Sequence, residues 1–97
     1  MEVFDDVKTR VLYLIREAEI FETDPESLLD KDLFEESLID SLTMTQIRAL
    51  IEDEFGCPIS EKEFVENLHS INDVIQFIVR NTEHGYTNSA LDTKRLY

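Results

Sequence analysis

In the stretch Phe34–Gly56, FEESLIDSLTMTQIRALIEDEFG, a serine stands between an acid and a leucine just where a helical pattern begins. Three kinds of chemistry are open to Ser41: nucleophilic attack, capping of a helix, or service as an attachment point. A nucleophile needs a base within hydrogen-bond reach and donors for an oxyanion. The histidines are His69 and His84, and nothing in their sequence surroundings aims either one at Ser41. Ile39-Asp40-Ser41-Leu42-Thr43 also lacks the glycines of the G-x-S-x-G elbow of serine hydrolases. Hydrolase chemistry is therefore set aside.

Asp-Ser pairs often cap helices, and Asp40 is the natural N-cap here, which puts Ser41 at the first helical position. The first turn of a helix offers free backbone N–H groups and the positive end of the dipole. A phosphodiester on the Ser41 hydroxyl would be favoured there by about 0.3–1 kcal/mol through the dipole. Leu42 follows, apolar at a place the core pattern does not need. These placements point to an attachment site.

Metal chemistry fits less well. Asp24–Glu35 spans the length of a calcium-binding EF-hand loop and ends in Glu. Its sixth position, normally Gly, is Leu29, and its fifth, normally an oxygen ligand, is Leu28. His69, His84 and Cys57 do not make a zinc set. Cys57 reads as a small hydrophobe.

The elements that must position Ser41 are helical. Residues 2–20 read as an amphipathic helix with Phe4, Val7, Val11, Leu14 and Ala18 at spacings of three and four, and Ile15 alongside. Glu2, Asp5 and Asp6 lie in its first turn, where the dipole favours anions. Residues 21–39 read as a long loop pinned by Leu28, Leu33 and Phe34. Thr23 or Asp24 there caps a short turn before Pro25. A second helix runs from about Ser41 to Phe55 on the stripe Met44, Ile47, Ile51 and Phe55, with Leu50 beside it. Gly56 ends it at C′, and Pro58 prevents continuation. Ser60 and Glu63 have capping-box spacing and open a short third helix. Ser70 and Asp73 repeat the device before a fourth helix, which carries Ile71, Val74, Ile75 and Ile78 to about Asn81. The expected fold class is all-α: a bundle of three longer helices and one short one, with a long first loop. Residues 1–81 form the domain, and 82–97 a flexible tail in which Leu91, Leu96 and Tyr97 are free to dock on a partner or on the domain.

Composition bounds what such a bundle can do. Its 97 residues suit one small domain, and 42% hydrophobic content suits a globular one. The net charge of −13 comes from 22 acids against 9 Lys and Arg. So acidic a chain repels nucleic acid and anionic lipid and attracts proteins with basic patches. The single cysteine allows no internal disulfide and suits a reducing compartment. The charged N-terminal sequence does not read as a signal peptide, and no apolar run approaches membrane-spanning length. A cytoplasmic monomer without membrane insertion is expected.

The motif LIDSL, followed by an amphipathic helix ending in IEDEFG, resembles the acyl carrier protein family from the first helix to about Asn81. Within Phe34–Gly56, FEESLIDSL is also similar to the D-alanyl carrier proteins of cell-wall teichoic acid modification. The resemblance implies a four-helix acyl-carrier-like bundle with no catalysis of its own. It implies a 4′-phosphopantetheine arm on Ser41, with Asp40 needed by the phosphopantetheinyl transferase that loads it. It further implies that Leu42, Glu52, Asp53 and Glu54 meet partner enzymes. The arm would carry acyl or aminoacyl groups as thioesters, in fatty acid or secondary metabolite biosynthesis. Partners would be a loading ligase and downstream acyltransferases with basic surfaces. There are departures from the family pattern. Ser37 and Leu38 fill the stretch before Asp-Ser where relatives usually have Gly. Thr43 and Gln46 replace acids common after the serine, and Arg48 adds a positive charge. They make a specialised pathway an expectation alongside housekeeping lipid synthesis. Two alternatives stay open: an aminoacyl carrier, D-alanyl or other, and an unmodified acidic helical adaptor for a basic partner. Phe34, Ile47, Ile51, Phe64 and Ile75 read as core rather than as a pocket for the cargo.

Overall fold

The computed structural model describes residues 2–81. The expected tail over 82–97, with His84, Leu91, Leu96 and Tyr97, lies outside the described residues. Four α-helices follow in order: α1 Glu2–Glu17, α2 Ser41–Phe55, α3 Glu61–Asn67 and α4 Ile71–Asn81, with a 3₁₀ turn Pro25–Leu28 between α1 and α2. There is no strand among the described residues. The fold is the four-helix bundle that the periodicity predicts, with three longer helices and one short. No helix among the described residues is long and apolar enough to cross a membrane.

The amphipathic stripes meet in one core. Val7, Val11 and Ile15 of α1 face Met44, Ile47 and Ile51 of α2, Phe64 of α3, and Ile71, Val74, Ile75 and Ile78 of α4 within a single buried cluster. Each of these side chains contributes about 1.5–3 kcal/mol when taken fully out of water. Ile47, Ile51, Phe64 and Ile75 are at most 2% exposed. They are core side chains, as their spacing predicts, and Phe34 packs on the cluster's edge.

Helix α1 differs from its sequence pattern in two ways. It stops at Glu17 rather than running to residue 20. Ile15 and Arg16 carbonyls accept the N–H groups of Ile20 (3.3 Å) and Glu19 (3.1 Å), and Glu19 turns left-handed at φ 54°. This is a Schellman closure on a residue that is not glycine, with Ile20 folding back onto the core. The buried stripe is also rotated. It takes in Leu12 at 7% exposure and leaves Ala18 outside, because Ala18 already sits past the last helical turn.

The other boundaries follow their caps. Asp24, rather than Thr23, caps the 3₁₀ turn by accepting the Glu26 N–H at 3.2 Å. Gly56 ends α2 at φ 62°, a left-handed conformation that glycine adopts without steric cost. Ser60 accepts the Glu63 N–H at 3.0 Å. Ser70 and Asp73 cap α4 reciprocally. The Asp73 N–H donates to Ser70 Oγ (3.1 Å), and the Ser70 N–H donates to Asp73 Oδ2 (3.2 Å).

Candidate functional site

Ser41 is the first residue of α2 and is exposed. Asp40 precedes it in extended conformation, and its Oδ1 accepts the Thr43 N–H at 2.8 Å. That N–H, then the Thr43 hydroxyl, hold the Asp40 carboxyl below the usual carboxylate range. Asp40 thus stays ionised and committed to the helix end, which makes it a poor base for its neighbour. The Thr45 hydroxyl donates to the Ser41 carbonyl at 2.9 Å and ties down the first turn. The Ser41 hydroxyl itself has no hydrogen-bond partner among the described residues.

The loop before Ser41 is more ordered than its composition suggests. Asp32 Oδ1 accepts the N–H groups of Phe34 and Glu35, both at 3.0 Å, and so caps a single helical turn. The Glu36 N–H reaches the Asp32 carbonyl at 3.0 Å. The turn closes as α1 does. Leu38 N–H donates to Leu33 O (2.9 Å), Ser37 N–H donates to Phe34 O (3.1 Å), and Ser37 is left-handed at φ 59°. Ser37 thus occupies, with a Cβ, the stretch where the resembling carriers usually have glycine. Leu38, Ile39 and Asp40 then lead directly into Ser41, with Ile39 buried and Leu38 exposed.

This turn is stitched to the α3–α4 connector. Leu33 N–H donates to His69 O at 2.7 Å, and Asn72 N–H donates to Leu29 O at 3.0 Å. The Asn72 side-chain amide adds a bond to Asp30 at 3.3 Å. The Phe34 ring meets the His69 ring edge-on at 5.3 Å and the Phe64 ring at 6.3 Å. The ring nitrogens of His69 lie 2.6 Å from the Val65 carbonyl and 3.4 Å from Asp32 Oδ2. The His69 ring is therefore occupied with α3 on one side and the loop on the other and is not a base for Ser41. The loop acids that imitate an EF-hand serve as caps and ties, with Asp24 also paired to Arg16 at 3.0 Å.

The residues expected to meet partners lie along α2. Leu42 is 68% exposed and stands next to Ser41, while Glu52 and Asp53 are exposed near the C-terminal end. Over the 15 residues of α2 those ends are separated by about 20 Å at 1.5 Å per residue. Glu54 is different: it pairs with Arg10 of α1 at 3.2 Å. Arg48 is not a free charge on the helix face either, since its Nε–H donates to the Ile59 carbonyl at 2.8 Å and fastens α2 to the loop behind it. Cys57 is 5% exposed and part of the core, where burial pushes its thiol pKa up.

Sequence reasoning missed Asp32 and His69 as parts of this site. The spacing of Asp32 and Glu35 is that of a capped helix start, so a signal for the turn was present. The closure on Ser37 had none, because serine does not advertise a left-handed conformation.

The residues present fit a phosphate-linked arm. An uncommitted, exposed hydroxyl sits at the amide-rich end of a helix, with a fixed acid before it and an exposed leucine after it. Among known families, the one described as the phosphopantetheine attachment site matches residues 17–78. No curated protein and no solved structure matches the chain.

Proposed function

The chain belongs to the phosphopantetheine attachment-site family, and from that premise we propose that it is an acyl or aminoacyl carrier whose arm is esterified to Ser41. Members of this family carry a covalently attached 4′-phosphopantetheine, and the chain is a phosphopantetheine carrier. When bound, that group supplies a thiol on a flexible tether, on which acyl or aminoacyl cargo is held and delivered. The observation that carries the assignment to Ser41 is the free hydroxyl at the first position of α2. Asp40 fixes that position through the Thr43 N–H. Leu42, at 68% exposure, gives a transferase an apolar contact beside the hydroxyl. Tethering makes each transfer local, which raises the effective concentration of cargo at a docked enzyme.

The chain itself does no chemistry in this reading. Partner enzymes with basic surfaces are drawn by the charge of −13. They meet Glu52 and Asp53, both exposed, while Glu54 mainly braces α2 against α1. A cytoplasmic setting suits the single reduced cysteine. The unmodified-adaptor alternative gives no reason for the family match. The aminoacyl alternative keeps its support in the likeness of FEESLIDSL to the D-alanyl carriers.

Incubation of the full chain with coenzyme A and a promiscuous phosphopantetheinyl transferase tests the assignment. The parent should gain the mass of one phosphopantetheine, and Ser41→Ala should gain nothing. An unmodified parent, or a modified Ser41→Ala chain, would refute it.

A further inference from the structure

Beyond the described structure, residues 82–97 carry a basic pair, Lys94 and Arg95, with Leu91 before it and Leu96 and Tyr97 after it. Glu83 and Asp92 balance that pair, so the whole net charge of −13 lies on residues 1–81. A segment with two cations and apolar neighbours is drawn to carboxylates that stand beside an apolar wall. The domain has such a place between α1 and the C-terminal end of α2. A cleft of about 600 Å³ there is lined by Asp6, Val7, Arg10 and Tyr13 of α1 and by Glu54 and Phe55 of α2. Val7 is buried and Phe55 half-buried, whereas Tyr13 is 49% exposed and leaves apolar surface in water. Arg10 is already engaged: Glu54 holds it at 3.2 Å, and its guanidinium lies 5.8 Å from the centre of the Tyr13 ring. Asp6 is exposed and has no ion pair or side-chain hydrogen bond among the described residues. With Asp6 and Glu54 against Arg10, the cleft keeps one uncompensated negative charge.

We propose that residues 94–97 dock in this cleft of their own domain, with Lys94 and Arg95 at the Asp6 and Glu54 carboxylates and Leu96 and Tyr97 against Tyr13 and Phe55. The segment reaches it from any point on the surface. Thirteen residues separate Asn81 from Lys94 and span about 43–47 Å when extended, whereas the longest dimension of the structure is 41 Å. Exposed ion pairs are individually weak, at about 0.2–1 kcal/mol. A short tether offsets that weakness, because it holds the segment at an effective concentration of about millimolar. At micromolar protein the chain's own segment therefore outcompetes that of a second copy. Other hollows suit it less. The one beside the 3₁₀ turn sets Asp5 and Glu26 against Lys8 and Arg16 and has no net charge. The one at Ala49, Glu52 and Asp53 has carboxylates but no aromatic or branched side chain in its wall. The docked segment covers the end of α2 remote from Ser41, so it stands whether or not Ser41 bears an arm.

Zero-length carbodiimide coupling of the full chain at micromolar concentration tests it, with the joined peptides read by mass spectrometry. Lys94 should be joined to Asp6 or Glu54 within one molecule. Raising the salt from 0.01 M to 1 M shortens the screening length from about 30 Å to about 3 Å and should cut that yield at least about threefold. In the amide spectrum, the double substitution Lys94→Glu with Arg95→Glu should shift Thr9, Tyr13 and Phe55 and leave α3 in place. Neither substitution touches the core, so the variant keeps the fold. Lys94 left unjoined, or joined mainly to Glu61, Glu63 or Glu66 of α3, would overturn the proposal. A yield indifferent to salt, or cleft amides that stay put in the variant, would overturn it too. Coupling in a mixture of unlabelled and nitrogen-15-labelled chains identifies the remaining case: light-to-heavy joins would put a second copy in the cleft instead of the chain's own segment.

Discussion

Replacing Ser37 by glycine should make the protein more stable, although it removes atoms and adds no contact. Ser37 is left-handed at φ 59°, where a Cβ crowds the following carbonyl oxygen. Relief of that crowding gives about 1–2 kcal/mol per residue. Against it stands the greater freedom of glycine in the unfolded chain, about 0.4–1 kcal/mol. The Ser37 side chain is exposed and its hydroxyl makes no hydrogen bond among the described residues, so nothing further is lost. The net gain is about 0.5–1 kcal/mol, or a rise of roughly 3–6 °C in melting temperature for a domain of this size. Urea and thermal unfolding followed by circular dichroism would measure it. Ser37→Ala is the control. Alanine keeps the Cβ and therefore the strain, so it should lie within about 0.5 kcal/mol of the parent. Equal stability of the glycine and alanine variants, or a loss on going to glycine, would refute the strain at this turn. Glu19→Gly should repeat the gain at the end of α1, since Glu19 is exposed and has φ 54°.

Other consequences follow from caps and core. Asp40 is held below the usual carboxylate range by the Thr43 N–H, so its contribution to stability is complete above about pH 4 and lost as pH falls through its folded value. Urea midpoints should therefore show the parent losing ground to Asp40→Asn only below about pH 4, and a difference that changes between pH 5 and 7 would contradict the cap. Phe64 is fully buried at the meeting of α3 with the loop and α4, and Phe64→Ala should cost about 3–5 kcal/mol in denaturant unfolding. The Cys57 thiol is buried and its pKa raised, so in native protein it should react with a thiol reagent far more slowly than in urea. Equal rates in the two conditions would place it outside the core.

Much of the fold was legible because it rests on periodicity and caps. The stripe Met44, Ile47 and Ile51, bounded by Asp40 and Gly56, marks α2 from Ser41 to Phe55, as found. Ser60 with Glu63, and Ser70 with Asp73, mark the starts of α3 and α4 by the same logic. What stayed hidden was backbone conformation that no residue type announces. Glu19 and Ser37 both close helical turns in a conformation usually given to glycine, so α1 reads too long and the loop before Ser41 reads as irregular. The exposure of Leu42 could be inferred, because the core stripe of α2 leaves it out. Long-range pairings could not. Nothing in the spacing of His69 and Asp32, or of Arg48 and Ile59, indicates that they meet. Arg48 therefore reads as a surface charge until its bond to the loop is seen.

Trypsin cleaves after Lys31 and Arg48, so one peptide over residues 32–48 carries both Ser37 and Ser41, along with Thr43 and Thr45. Fragmentation of that peptide, taken from the transferase-loaded full chain, locates the added mass to a single residue. The free hydroxyl at the head of α2 predicts that the increment rides on Ser41 alone. An increment on Ser37, on either threonine, or on any other peptide would contradict the account.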